Sequence, residues 1–311
     1  MRRNSKSRPI YVELDIHTDM DKLWAYTQTA ELHEQWDLRF SNIAYLPRKS
    51  EGSPQHFRYE TRIGFGLRIS GTGRTKSAIH RVTGVRLSTL AFGSEQPISL
   101  IRHGAGYWQY RPKPNADSIT FLTKYDYATR FGVWGQWFDR LLFRPLFGWA
   151  TAFSFDVLRL WLEKQIPPAV SLQRTVLHYM CVLLLSFLWL YEGLVPKWLF
   201  PEAGELAIMQ GIHLFPGTEL LALKWLGGAE IVLGFIQLLY HRSAHIYGLQ
   251  LFGLVVLSAG ALINAPLLLT HPFNPLVLSA AMVGLNLAGL WTCRDLPDAG
   301  RCIRTQGEWK R

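Results

Sequence analysis

Cysteine is scarce in these 311 residues: Cys181, Cys293 and Cys302 complete the set. An odd count with no CxxC argues against a disulfide framework or a zinc site, and no metal is expected. Arg2, Arg3, Lys6 and Arg8 open the chain but no apolar h-region follows, so no cleavable signal peptide is expected. Dense Lys/Arg blocks with interleaved aromatics are missing, which argues against nucleic acid as a partner. There is no triad, no carboxylate pair and no phosphate loop. The glycine-rich "GFGLRISGTG" lies within a strand hairpin rather than before a helix, so it is not a dinucleotide fingerprint, and no cofactor is expected.

Charge is scarce in one half only. Residues 1–170 hold 24 of the 33 Lys+Arg and 15 of the 23 Asp+Glu, a balance of +9. Residues 171–311 hold 9 basic and 8 acidic residues, a balance of +1. The boundary falls near Pro167-Pro168, a double proline that stops a helix. A basic domain joined to an apolar half suits an anionic membrane face.

Four apolar segments follow, at about 175–195, 219–240, 246–270 and 272–293. A bilayer core needs about 20 apolar residues in a helix. The last two segments carry no charge; the second is interrupted by Lys224 and Glu230. Trp and Tyr stand at several ends, among them Tyr191, Trp198, Trp225, Tyr240, Tyr247 and Trp291, as at membrane interfaces. Lys164 and Arg174, then Arg242, then Arg294, Arg301, Arg304, Lys310 and Arg311 flank alternate ends, which predicts a multi-pass protein with both termini cytoplasmic. The connection 192–218 has room for a short interfacial helix. Glycines 227, 228, 234, 253 and 260 allow close helix packing and homo-oligomerisation through the spans.

Polar residues within such spans are costly and often functional. Glu230 sits near mid-span, with His178, Asn264 and Asn286 in the others. Glu230 is either a functional acid or a packing group paired with Lys224 or an asparagine. Glu192 and Lys197 end the first span; five apart with Pro196 between, they are not a same-face helical pair and mark its outer rim. Glu192, Lys197, Glu230 and Asn264 form the candidate polar site of this half. His241 and His245, spaced i,i+4, suit a metal on a helix, but no third ligand stands nearby; interfacial snorkelling is the alternative.

"WLYEGLVPKWLFPE", "GGAEIVLG" and "LTHPFNPLVLSAAMVGLNLAGL" resemble, in order and spacing, the DoxX-like membrane family. The resemblance implies a four-helix integral membrane domain; some relatives are linked to quinone or thiol redox chemistry. The cysteine pair such chemistry would use is missing, since Cys181 stands alone in its span.

The first half reads as half-buried strands. Ile10, Val12, Leu14 and Ile16 alternate with polar residues; so do Phe57, Tyr59, Thr61 and Ile63, and Ile119, Phe121, Thr123, Tyr125 and Tyr127. Two short helical patches follow the first strand, with Thr18 and Asp21 placed for a capping box. A long helix is predicted over about Val133–Lys164, kinked at Pro145. "AELHEQWD", "YDYATRFG" and this element order resemble the SRPBCC or START-like helix-grip superfamily over residues 9–165. The resemblance implies a curved antiparallel sheet wrapped on the last helix around an apolar cavity, lined by Trp36, Tyr59, Trp108, Tyr110, Phe121 and Tyr125; ordinary core packing is the other reading. Catalysis would draw on Glu60, His80, His103 or Asp126. Strand parity points Glu60 and Asp126 outward, while glycines beside His103 allow a bulge that reverses parity there.

The sequence therefore predicts an α+β helix-grip domain at 1–167, then an all-α four-helix transmembrane domain at 168–311. The function expected is a membrane-anchored binding protein for a hydrophobic or amphipathic small molecule or lipid. The alternatives are a cyclase- or hydrolase-type enzyme, a redox-linked membrane component, and a membrane scaffold for partner proteins.

Overall fold

The computed structural model describes residues 8–307, apart from 49, 51, 65, 81–82, 115–116, 212, 214, 265 and 271–273. Arg2, Arg3, Lys6, Lys310 and Arg311 lie outside the described residues, as do the start of the expected 272–293 span and part of "THPFNP". The chain divides into two compact units: Met1–Ser171 with Pro297–Arg311, and Leu172–Leu296.

In the first, the sheet unit, strand β1 (Ile10–Ile16) is followed by helices α1 (Met20–Gln28) and α2 (Ala30–Trp36). Then come β2 (Asn42–Tyr45), β3 (Gln55–Gly64), β4 (Leu67–Ile79), β5 (Arg86–Gly93), β6 (Ile101–Pro112) and β7 (Ile119–Thr129). The order across the sheet is β1-β7-β6-β5-β4-β3-β2, every pair antiparallel, so the last strand returns beside the first. Ile10, Val12, Leu14 and Ile16 are buried as their alternation requires. Helix α1 is capped by Asp19, whose Oδ1 accepts from Lys22 N at 2.7 Å, rather than by Thr18.

The long last helix runs as α3 (Gly132–Phe138), a π-helical turn Asp139–Phe143, and α4 (Arg144–Lys164). The kink expected at Pro145 takes this form. Pro145 has no N–H to give, and a wider turn just before it absorbs the broken ladder. Phe155 of α4 stacks on Phe121 with centroids 4.4 Å apart, and Phe121 stacks on Tyr110 at 4.9 Å. Trp36 and Trp108 close on this stack. Gln165, at φ 56°, ends α4, and Pro168 opens the next helix, where its missing N–H costs nothing.

The tail departs from the sequence reading, which left it with the spans. Glu13 and Ile303 exchange both backbone hydrogen bonds at 2.9 Å, covering the free edge of β1. Asp298 N donates to the buried Asp156 carboxylate at 2.8 Å, and Cys302 Sγ donates to Ala152 O.

The helical unit comprises most of α5 (Pro168–Leu194), a π-helical turn Val195–Leu199, α6 (Glu205–Gly211), α7 (Glu219–Leu239), α8 (Ala244–Asn264) and α9 (Pro275–Thr292). Leu185, Trp189, Tyr247, Leu254 and Met282 form its core. The buried residues of α7 are Leu223, Gly227, Glu230, Gly234 and Gln237, a stripe spaced by threes and fours along one face. Among the described residues, four helical stretches are apolar enough by length and composition to cross a membrane: 132–164, 168–199, 244–264 and 275–292. The first belongs to the sheet unit and is half buried. The second expected span, α7, forms at its expected place but falls outside that set; it carries Glu219, Lys224 and Glu230.

Candidate functional site

The sheet unit holds an open cleft of about 1520 Å³ across the sheet at the level of Phe57, Gly73, Phe92, Gly104 and Tyr127. Its shape follows from glycines paired with aromatics. A Cβ on Gly73 would strike the Phe57 ring, and one on Gly104 would meet Phe92 Cζ at 2.5 Å. The rings lie across the neighbouring strand where a side chain is missing, instead of standing into the space above. The result is an apolar bed. The π-helical turn forms one wall with Asp139, Arg140 and Arg144; Arg74, Arg102 and His103 stand exposed at the rim. Asp126 and Asp139 are both held by Arg144, at 2.8 Å each, and Tyr127 Oη donates to Asp139 at 2.7 Å.

The expected lining residues are all buried, but they do different things. Trp108 borders a small inner pocket of about 40 Å³ with His33, Phe40 and Leu90. Trp36, Tyr110 and Phe121 belong to the aromatic stack, in keeping with the core-packing reading. Tyr125 Oη bonds Thr151 Oγ1 at 2.7 Å; Tyr59 donates to Gly93 O, and burial pushes its hydroxyl up to about 12. The large cleft lies instead toward the end of β6 where the ladder with β7 slips between Ile101 and His103. That irregularity lies beside His103, but His103 still pairs with Ala128 on the face opposite to Gly104, so parity there is not reversed. His103 and Asp126 both border the cleft. Glu60 and His80 are not among the residues lining it; His80 Nδ1 bonds Thr83 Oγ1.

A buried ion pair was missed by the sequence reading. Arg39 grips Asp37 through Nε at 2.8 Å and Nη2 at 2.6 Å, and His33 Nε2 lies 3.0 Å from the same carboxylate. Burial alone would raise the Asp37 carboxyl. The Arg39 charge and hydrogen bonds, with His33, outweigh burial and hold it well below the usual carboxylate range. The i,i+4 spacing of His33 and Asp37 at the end of α2 was the available signal.

The helical unit builds a second polar site. Gly193 and Gly227 face each other so closely that a Cβ on Gly227 would meet Gly193 O at 2.6 Å and Lys197 Cβ at 2.8 Å. That approach carries the π-helical turn after α5 against α7. Lys197 Nζ then lies 3.0 Å from Glu230 Oε2, both side chains about 5 % exposed, and 3.8 Å from Glu205. Nζ also donates to Glu192 O at 3.2 Å. Glu230 Oε2 has no aligned hydrogen-bond partner among the described residues, so the pair is a charge contact. Three of the four expected residues thus meet. The partner of Glu230 is Lys197, not Lys224 or an asparagine, and Lys197 is buried rather than a rim charge. Asn264 stays apart: it is exposed and its amide donates to Gly260 O at 2.8 Å.

Toward the other end of these helices, His178 Nε2 lies 2.9 Å from His241 Nδ1 and its Nδ1 lies 3.3 Å from Thr292 Oγ1. His241 therefore joins the first apolar helix, while His245 is exposed. Trp189 Nε1 donates to Gln250 at 3.0 Å, and Gln250 donates to Gln237 at 2.6 Å. Asn286 is buried too, its amide donating to Met282 O.

Residues 186–287 match the model of the DoxX-like family. Among solved structures, norcoclaurine synthase from Thalictrum flavum is 15 % identical, covers 51 % of this chain and 95 % of its own, with a TM-score of 0.33. The Zhui aromatase/cyclase from Streptomyces sp. R1128 is 15 % identical over 40 % of this chain and 68 % of its own, TM-score 0.31. The helix-grip arrangement of this chain rests on its own strand order and last helix. The "Uncharacterized membrane protein YndG" of Bacillus subtilis (strain 168) is 50 % identical over 188 residues, 60 % of this chain and 69 % of that protein. With that match the chain belongs to the family of YndG, as a membrane protein that carries a DoxX-like domain.

Proposed function

We propose that this is a membrane-anchored binding protein whose sheet unit takes up an amphipathic, anionic small molecule, with the helical unit as anchor and transfer partner. The observation that carries this reading is the cleft of about 1520 Å³ with its apolar bed and arginine rim. Ligand sites of drug-sized molecules occupy roughly 300–1,000 Å³, so the cleft has room for a lipid-like molecule. Arg74 and Arg102 are exposed and make no salt bridge among the described residues; guanidinium groups suit a carboxylate or phosphate head. Binding is favoured over catalysis because the two acids beside the π-helical wall are committed, while the exposed Glu95 is the remaining carboxylate at the cleft. Asp126 and Asp139 are tied to Arg144, and burial together with the Asp139 hydrogen bond drives the Tyr127 hydroxyl up, away from acid–base work near neutrality.

Native mass spectrometry of the detergent-extracted full chain is the first test, with a co-purified amphipathic anion expected. Titration with anilinonaphthalene sulfonate is the second. Each lost charge-assisted hydrogen bond costs about 1.5–3 kcal/mol, so Arg74→Gln with Arg102→Gln should weaken the probe by about tenfold or more. No co-purified molecule and identical titrations for both proteins would sink the reading.

The anchoring reading takes α5, α7, α8 and α9 as four spans with both termini cytoplasmic, on the Lys/Arg distribution. Reporters fused after Arg242 and after Arg311 are expected inside, and one within 201–215 outside. A cytoplasmic 201–215 reporter would overturn it.

A further inference from the structure

The wall of the cleft has a second face. Along α3, the π-helical turn and the start of α4, Trp134, Trp137, Leu141, Leu142, Leu146 and Trp149 are all exposed. Their spacing of threes, fours and one puts them on one stripe. Trp134 is 81 % exposed, Trp137 62 % and Leu141 59 %. On the same helical stretch Gln136, Asp139, Arg140 and Arg144 line the cleft. One helix therefore shows a polar side to the site and an unpartnered aromatic–aliphatic side outward. A contiguous apolar patch of this kind marks a contact with another protein or with lipid.

Three observations favour lipid. The stripe is rich in tryptophan, whose amphipathic ring settles at the headgroup boundary. Residues 1–170 carry a formal balance of +9, which draws them to an anionic leaflet. Two short tethers complete the case. Only residues 165–167 separate α4 from α5, and only 293–296 separate α9 from the tail that pairs with β1. Three extended residues reach about 11 Å at most. A unit fastened at both ends to apolar helices through such links stays at the membrane surface, where an exposed tryptophan stripe meets lipid before it meets a partner.

We propose that the 134–149 stripe beds the sheet unit in the lipid surface, like an in-plane amphipathic helix, and so opens the cleft beside the headgroups. The consequence for the ligand, a direct path from bilayer to cleft, rests on the binding reading above; the docking itself does not.

The test uses the full chain in phosphatidylcholine–phosphatidylglycerol vesicles. Nitroxide labels are placed on Trp134→Cys, Leu141→Cys and, as a control on β4, Lys76→Cys, each with Cys293→Ser. Cys181 and Cys302 are buried. Labels at 134 and 141 are expected to relax with dissolved oxygen and to be shielded from a water-soluble nickel chelate, and the label at 76 to show the reverse. Nickel access at 134 and 141 equal to that at 76 overturns the proposal. So does dipolar broadening between labels, which would make the occupant a second copy. So does shielding from both reagents, which would bury the stripe in protein. The paired variant Trp134→Glu/Leu141→Glu is then read by a label at Leu142→Cys: it should keep its circular dichroism and lose the oxygen signature. Transfer of a fluorescent fatty acid from vesicles separates the two readings. Wild-type lipid signatures with no fatty-acid uptake would remove the binding reading and leave the docking intact.

Discussion

Lys197 Nζ lies 3.0 Å from Glu230 Oε2, and both groups are buried in the helical unit. Two charges out of water are tolerable as a pair and very costly singly. Lys197→Met or Glu230→Leu alone should each destabilise the protein by about 3–5 kcal/mol, and the double variant should recover most of that loss. Melting temperatures in detergent provide the comparison. Glu230→Gln asks a different question. If the carboxylate only fixes packing, this variant complements a deletion strain; if its charge is used, it folds and fails to complement.

The close approach of α5 and α7 predicts a contrast between adjacent glycines. Gly227→Ala would press on Gly193 O and Lys197 Cβ, and should cost about 1–3 kcal/mol through overpacking. Gly228 has nothing within 4 Å of its added Cβ, so Gly228→Ala should be neutral or gain about 0.5–1 kcal/mol in helix propensity. Equal melting shifts for the two would contradict the packing described.

Asp37 makes the sheet unit sensitive to acid. Its folded carboxyl lies below the unfolded value of roughly 3.9, so its stabilisation is fully present above that pH. It is lost as pH falls from there toward the folded value. Asp37→Asn should destabilise at neutral pH, by about 3–5 kcal/mol if Arg39 is left as an uncompensated buried charge. It should also flatten the stability curve below about pH 4. Denaturant melts across the acid range provide the check; an unchanged slope would refute the assignment.

The returning tail predicts that a chain ending at residue 296 loses sheet-unit stability. Truncation bares the edge of β1 at Glu13 and takes the Asp298 N–H from buried Asp156. An unpaired buried acceptor costs about 1–3 kcal/mol. Limited proteolysis near residues 8–20 should be faster in the truncated protein; equal rates would mean the edge pairing is dispensable.

Much of this architecture was legible in the chain. Alternation at Ile10–Ile16 and Phe57–Ile63, and the uncharged stretches 246–270 and 272–293, are local patterns whose period or length states the element. Glu192, Lys197 and Glu230 were legible as candidates because charge in an apolar run is expensive wherever it folds. Their meeting was not, since it depends on a π-helical turn at Pro196 and on two glycines 34 residues apart letting backbones touch. The choice between pocket and core was not legible for a related reason. Trp36, Tyr110 and Phe121 suit a pocket or a core equally by residue type, and only the stacking with Phe155 decided for core.

What the sequence determined by itself is the periodic and compositional layer: strands, a long last helix, apolar segments, and the basic first half. Tertiary structure alone decided the cleft over Gly73 and Gly104, the Asp37–Arg39 pair, the tail on β1, and the Lys197–Glu230 contact. The division has one physical cause. Hydrophobic period is set by neighbours along the chain, whereas a cleft, an ion pair or a covered edge is set by groups that sequence separation leaves unrelated until the backbone brings them within a few ångströms.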